Sequence, residues 1–127
     1  MTNSFNPEIF LDIAEKLLDI TKLDEKGRFR TSISKAYYSA FLLARSRLEM
    51  KGISFGTEGQ HKEVRDFLKM IHMDYMADQL KGLFDCRVDA DYYLSDSINK
   101  SINKSLCNKC IRIAKAIIEK VEDIRIN

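Results

Sequence analysis

Apolar residues recur at helical spacing along nearly the whole chain. Phe10, Ile13, Ala14, Leu17 and Leu18 fall on one face of a first helix. Asn6 and Pro7 precede it, and Asn caps helices while Pro suits their first turn. This helix is expected to end near Thr21, and residues 24–27 read as a polar connection. A second helix, from Arg28 or Thr31 to Met50, carries Ile33, Ala36, Tyr37, Ala40, Phe41, Ala44 and Leu48 on a broad apolar face. Lys51-Gly52 is its stop signal, and residues 53–59, with two glycines and a serine, read as a loop. A third helix spans about 60–70, with Val64, Phe67, Leu68 and Ile71 inward. After a break near residues 72–74, a fourth ends near Arg87 and carries Met76, Leu80, Leu83 and Phe84.

Residues 88–96, rich in Asp and Tyr, read as a loop. A fifth helix spans roughly 98–124, with Leu106, Cys110, Ile113, Ile117, Val121 and Ile124 as its stripe. Its start repeats Ser97-Ile98-Asn99-Lys100 as Ser101-Ile102-Asn103-Lys104, which stacks Ile98 on Ile102. Two copies do not make a solenoid. No stretch alternates with period two. The pattern predicts a single all-α domain, an up-and-down bundle of four to five helices with its core at about 7–125.

Composition sharpens this little. The chain has 127 residues, 45% hydrophobic and 31% charged, which suits one ordinary globular domain. No run approaches the ~18 apolar residues that a membrane helix needs. The first residues, Met1 to Pro7, have neither the basic start nor the apolar stretch of a secretion signal, so a cytoplasmic location is expected. Three cysteines are an odd count and suit a reducing compartment. Cys107 and Cys110 form a CxxC without a second pair, inside a helical pattern, and read as core residues. The net charge of +2 does not identify a nucleic-acid binder. Residues 61–96 hold five Lys/Arg against eight Asp/Glu, net −3. Residues 97–127 hold seven against three, net +4. The basic terminal helix is either a solvated face or the wall of an RNA path.

Two constellations carry potential chemistry. Arg30, Ser34, Tyr37 and Tyr38 share one side of the second helix, with Ser39 beside them. They read as tyrosines bonding across helices or as a polar seam beside a cleft. Arg87 is followed by Asp89, Asp91, Tyr92 and Tyr93. An arginine there pairs with the acids, or meets phosphate by bidentate bonding while a tyrosine stacks on a base. His61 and His72 are the only imidazoles. His61, near a helix start, is a capping residue or a group in reach of a ligand. Nothing matches a metal-ligand cluster, a Gly-rich phosphate loop or a serine nucleophile elbow.

Ala36-Tyr37-Tyr38-Ser39-Ala40-Phe41, with Ala44-Arg45, is similar to the Ala-Tyr-Tyr-Ala-x-Phe pattern of the HEPN family. These are small helical domains found in toxin–antitoxin, defence and nucleotide-handling systems. Arg87-x-x-Ala90-Asp91-Tyr92 resembles the Arg-x-x-Ala-Asp-Tyr late in many small stand-alone members, and His61 falls near the family's frequent His at the start of the third helix. The resemblance runs from about residue 8 to 122. It implies a homodimer and RNA or nucleotides as ligands. It also implies metal-independent endoribonuclease activity without a cofactor, at a composite site on the dimer interface, and a nucleotidyltransferase antitoxin as a partner. The implied catalytic residues are Arg87, Asp91 and Tyr92, with Arg87 on the scissile phosphate. The candidate binding residues, taken from the two constellations and His61, are Arg30, Tyr37, Tyr38, His61, Asp89 and Tyr93. One departure matters: the family's ribonucleases carry a His shortly after the Arg, and no His follows His72 here. A non-catalytic binding module and a structural dimeric bundle therefore stand beside the enzyme as alternatives.

Overall fold

The computed structural model describes residues 5–126, so the first four residues of the expected signal-free start lie outside it. Six helices are present: α1 (Glu8–Leu17), α2 (Glu25–Met50), α3 (Gln60–Met70), α4 (Asp74–Tyr92), α5 (Asp96–Ser101) and α6 (Lys104–Val121). No strand occurs among the described residues. No described helix is long and apolar enough to cross a membrane.

The long α2 is the hub and packs on α1, α4 and α6, while α3 packs on α4. Its small residues Ala36, Ala40 and Ala44, all fully buried, let neighbouring helices approach closely. Ile33, Phe41 and Leu48 interleave with Leu68, Leu80, Leu83, Ile117 and Val121 in one continuous core.

Four sequence expectations are corrected. The bundle has six helices, because the expected fifth helix is two. Ile102 leaves helical geometry, and the Asn103 side chain accepts from Leu106 N at 2.9 Å, starting α6 anew. Ile98 and Ile102 both reach the core, and Ile102 N donates to Ile98 O at 3.1 Å, so the break falls after this turn. The presumed connection at 24–27 is the start of α2, since the Asp24 carboxylate accepts from Gly27 N at 2.9 Å. Helix α1 ends at Leu17, short of Thr21. Finally, Val88 to Tyr92 continue α4 instead of forming a loop.

Long-range capping explains several of these ends. Lys26, Arg28 and Arg30 all sit in the first two turns of α2. Lys26 Nζ donates to Asn99 O (2.8 Å) and Ile102 O at the end of α5. Arg28 donates to Leu17 O (3.0 Å), Leu18 O (3.1 Å) and Leu23 O (3.2 Å) at the end of α1. Arg30 donates to Asp89 O (3.2 Å), Ala90 O (2.9 Å) and Tyr93 O (3.0 Å) at the end of α4. Helix C-termini leave carbonyls unpaired and partly negative, so one cationic patch satisfies three of them.

Candidate functional site

The middle of α2, the start of α3 and the second half of α4 meet around Arg87. This side chain is only 7% exposed. Its Cζ lies 5.7 Å from the Tyr37 ring centroid, 5.6 Å from Tyr38, 5.1 Å from Phe84 and 5.8 Å from Tyr92. The guanidinium thus sits in an aromatic cage, where ring faces favour a cation. Nη1 approaches Asp91 Oδ2 at 3.4 Å, one helical turn on. Nε is buried without a hydrogen-bond partner. A buried donor left unpaired is rare, and marks a place where a ligand can supply the acceptor.

His61 stands against the same cage. Its ring stacks on Phe41 with centroids 4.4 Å apart and lies 5.2 Å from Phe84. Nδ1 is hydrogen-bonded to the Tyr37 hydroxyl at 2.5 Å. Burial, followed by the charges of Arg87, Arg65 and Arg45, lowers the affinity of His61 for a proton below the usual imidazole value. The ring is therefore neutral near neutral pH. Burial also pushes the Tyr37 phenol well above its ordinary value, against the opposing pull of Arg65 and Arg87. The phenol keeps its proton, and with Nδ1 engaged, Nε2 is the nitrogen left for a ligand.

The residues expected to line the site divide between two places. Tyr37, Tyr38, His61, Arg87, Asp91 and Tyr92 come together. Ser34 joins at their edge, its Oγ 3.4 Å from Asp91 Oδ2. Arg30 instead spends its donors on the end of α4 and, at 3.1 Å, on Asn99 Oδ1. The backbone carbonyls of Asp89 and Tyr93 are among its acceptors, so these residues are tied to the capping network. Ser39 is buried and turned inward, donating to Ala36 O at 2.7 Å.

Arg45, Arg65, Phe41 and Phe84 also belong to the site, and their role escaped the sequence. Arg65 Cζ lies 4.9 Å from the Phe84 centroid and Arg45 Cζ 5.7 Å from Phe41. One signal was available: Arg65 follows His61 by one helical turn and so shares its side of α3.

The cysteines lie elsewhere. Cys107 Sγ donates to Phe29 O at 3.4 Å in the core. Cys110 of α6 and Cys86 of α4 are coupled, so that the Cys86 thiol is pulled down while that of Cys110 is pushed up by its partner and by burial. Among the described residues no group of His, Cys, Asp or Glu could hold a metal ion.

Chemically, the arrangement offers an arginine with free donor capacity, a neutral imidazole and aromatic faces. No curated protein and no solved structure matches the chain. The family model of the HEPN domain matches residues 7–124, nearly its whole length and every helix that builds the Arg87 cage. The chain belongs to the HEPN domain family.

Proposed function

We propose that this HEPN protein binds RNA at the Arg87 cage and cleaves it without a metal ion, as a component of a toxin–antitoxin or defence system. One observation carries the reading: a buried arginine with an unpartnered Nε stands beside an imidazole held neutral. HEPN domains are generally linked to RNase or nucleotide-related activity, which fits this chemistry. The family's usual His after the arginine is absent in sequence, and this reading gives its role to His61, whose ring feels the Arg87 charge.

The step is a transesterification. The 2′-oxygen forms a bond to phosphorus, and the bond from phosphorus to the 5′-oxygen breaks, leaving a cyclic phosphate. His61 Nε2 takes the 2′-hydroxyl proton while Nδ1–H donates to the Tyr37 oxygen, and water protonates the departing 5′-oxygen. Arg87 grips the phosphate and stabilises its growing negative charge. Asp91 orients Arg87, and Tyr38 and Tyr92 offer ring faces to the neighbouring bases.

The test is RNA cleavage by the purified chain in EDTA. Arg87→Ala is expected to lose about 100-fold or more, and His61→Gln a similar factor. Full activity in Arg87→Ala removes the assigned site. No cleavage by well-folded wild type favours the second reading, a non-catalytic RNA or nucleotide binder partnered with a nucleotidyltransferase. A specific feature supports that alternative: when the Tyr37 hydroxyl donates to Nδ1, Nε2 carries the proton and serves as a donor to phosphate instead of a base.

A further inference from the structure

Phe84 is crowded by cations. Arg65 Cζ lies 4.9 Å from its ring centroid, Arg87 Cζ 5.1 Å and Lys81 Nζ 5.4 Å. Lys81 is neutralised by Asp85 at 2.8 Å, and Arg87 is partly balanced by Asp91 at 3.4 Å. Among the described residues Arg65 forms no direct ion pair, and it feels Asp66 only at longer range. Its Nη1 is buried without a hydrogen-bond partner. The neighbouring acids are committed elsewhere: Asp66 to Lys62 at 2.6 Å, and Glu63 to Gly56 N at 3.2 Å.

Two guanidinium groups therefore flank one ring, each with a buried nitrogen lacking an acceptor. Like charges held close and only partly balanced repel, and an anion relieves that repulsion. A phosphodiester carries one charge and two free oxygens, enough for one bidentate arginine. If Arg87 occupies those oxygens, a second phosphate is needed to satisfy Arg65.

We propose that Arg65 holds a second phosphate of the same ligand, so that the site takes an oligoribonucleotide with at least two phosphates in preference to a single phosphate group. This inference rests on the reading of Arg87 as a phosphate site, and it adds both a residue and a ligand class to it.

The probes are two uncleavable dinucleotides of 2′-O-methyluridine, one with only its internal phosphate and one with an added 5′-phosphate. Wild type is expected to bind the doubly phosphorylated form tighter by about tenfold, the size of one good charged contact. Arg65→Gln is expected to lose this preference, its affinity for the doubly phosphorylated form falling about tenfold further than its affinity for the singly phosphorylated one. Arg87→Gln loses affinity for both. The salt dependence of binding is a second readout: Arg65→Gln lowers the slope by about 0.7 for the doubly phosphorylated probe alone. A uniform loss for both probes in Arg65→Gln would show a general field effect and overturn the second subsite. Equal binding of both probes by wild type would overturn it too, leaving Arg87 as a phosphate site. Failure of wild type to bind either probe would remove the underlying reading along with this one.

Discussion

At the scale of single residues, His61 joins folding to the site. It faces Arg87, Arg65 and Arg45, and its ring is bonded to Tyr37. Its proton affinity is lowered on folding, so the unfolded chain binds protons more readily as pH falls below about 6.5. The stability it contributes is complete above that value and is lost as pH falls toward the folded-state value. Melting temperature between pH 7.5 and 5 is therefore expected to fall more steeply for wild type than for His61→Gln. A phosphate ligand placed among the arginines screens them and raises the affinity of His61 for a proton, which NMR titration of the imidazole detects. Equal slopes for the two proteins would mean that burial of the neutral ring adds nothing on folding. Much of this site was legible: Tyr37, Tyr38, His61 and Arg87 all stand out in the sequence. What stayed hidden was their assembly. His61 precedes Arg87 in the chain, so a search for a His after the arginine passes over it. Only the packing of α3 on α4 brings the two together.

At the scale of elements, the ends of helices were harder to read than their existence. Asp and Tyr are poor helix formers, so residues 88–92 read locally as a loop. The helix persists there because Arg87 pairs with Asp91 a turn later and Arg30 satisfies the terminal carbonyls from α2. Likewise the stop of α1 at Leu17 depends on Arg28, ten and eleven residues away along the chain. No window of local sequence contains such a cap. Arg28 is 9% exposed and serves three carbonyls, so its loss leaves acceptors with poor access to water. Arg28→Ala is expected to cost about 2–3 kcal/mol in urea unfolding, the range for charged hydrogen bonds removed from a buried setting. The exposed pair Lys16–Asp12 is the control: Lys16→Ala is expected to leave the unfolding midpoint almost unchanged, because water screens the pair. Equal effects would show that the distant cap is dispensable.

At the scale of the whole molecule, the Arg87 cage lies away from the deeper hollows. The one of 370 Å³ beside His72, Met76 and Lys120 and the one of 480 Å³ beside Glu15, Asn108 and Arg112 include neither Arg87 nor His61. HEPN domains commonly dimerise. The end of α4 offers a face for this, because Tyr92, Tyr93 and Leu94 are 66%, 54% and 80% exposed in succession, and Tyr92 borders the cage. Three consecutive apolar or aromatic side chains in water are an uneconomical way to end a helix unless something covers them. Light scattering is expected to report a dimer, and Leu94→Glu to weaken it by about tenfold or more, since a charge at the centre of an apolar contact is left unpaired. If two cages share the interface, cleavage in EDTA must fall with dilution as the dimer dissociates, and Leu94→Glu must move that fall to higher protein concentration. A dimer unaffected by Leu94→Glu would place the interface on another face. Cleavage per chain independent of dilution, through the range in which the dimer dissociates, would show that each cage works alone.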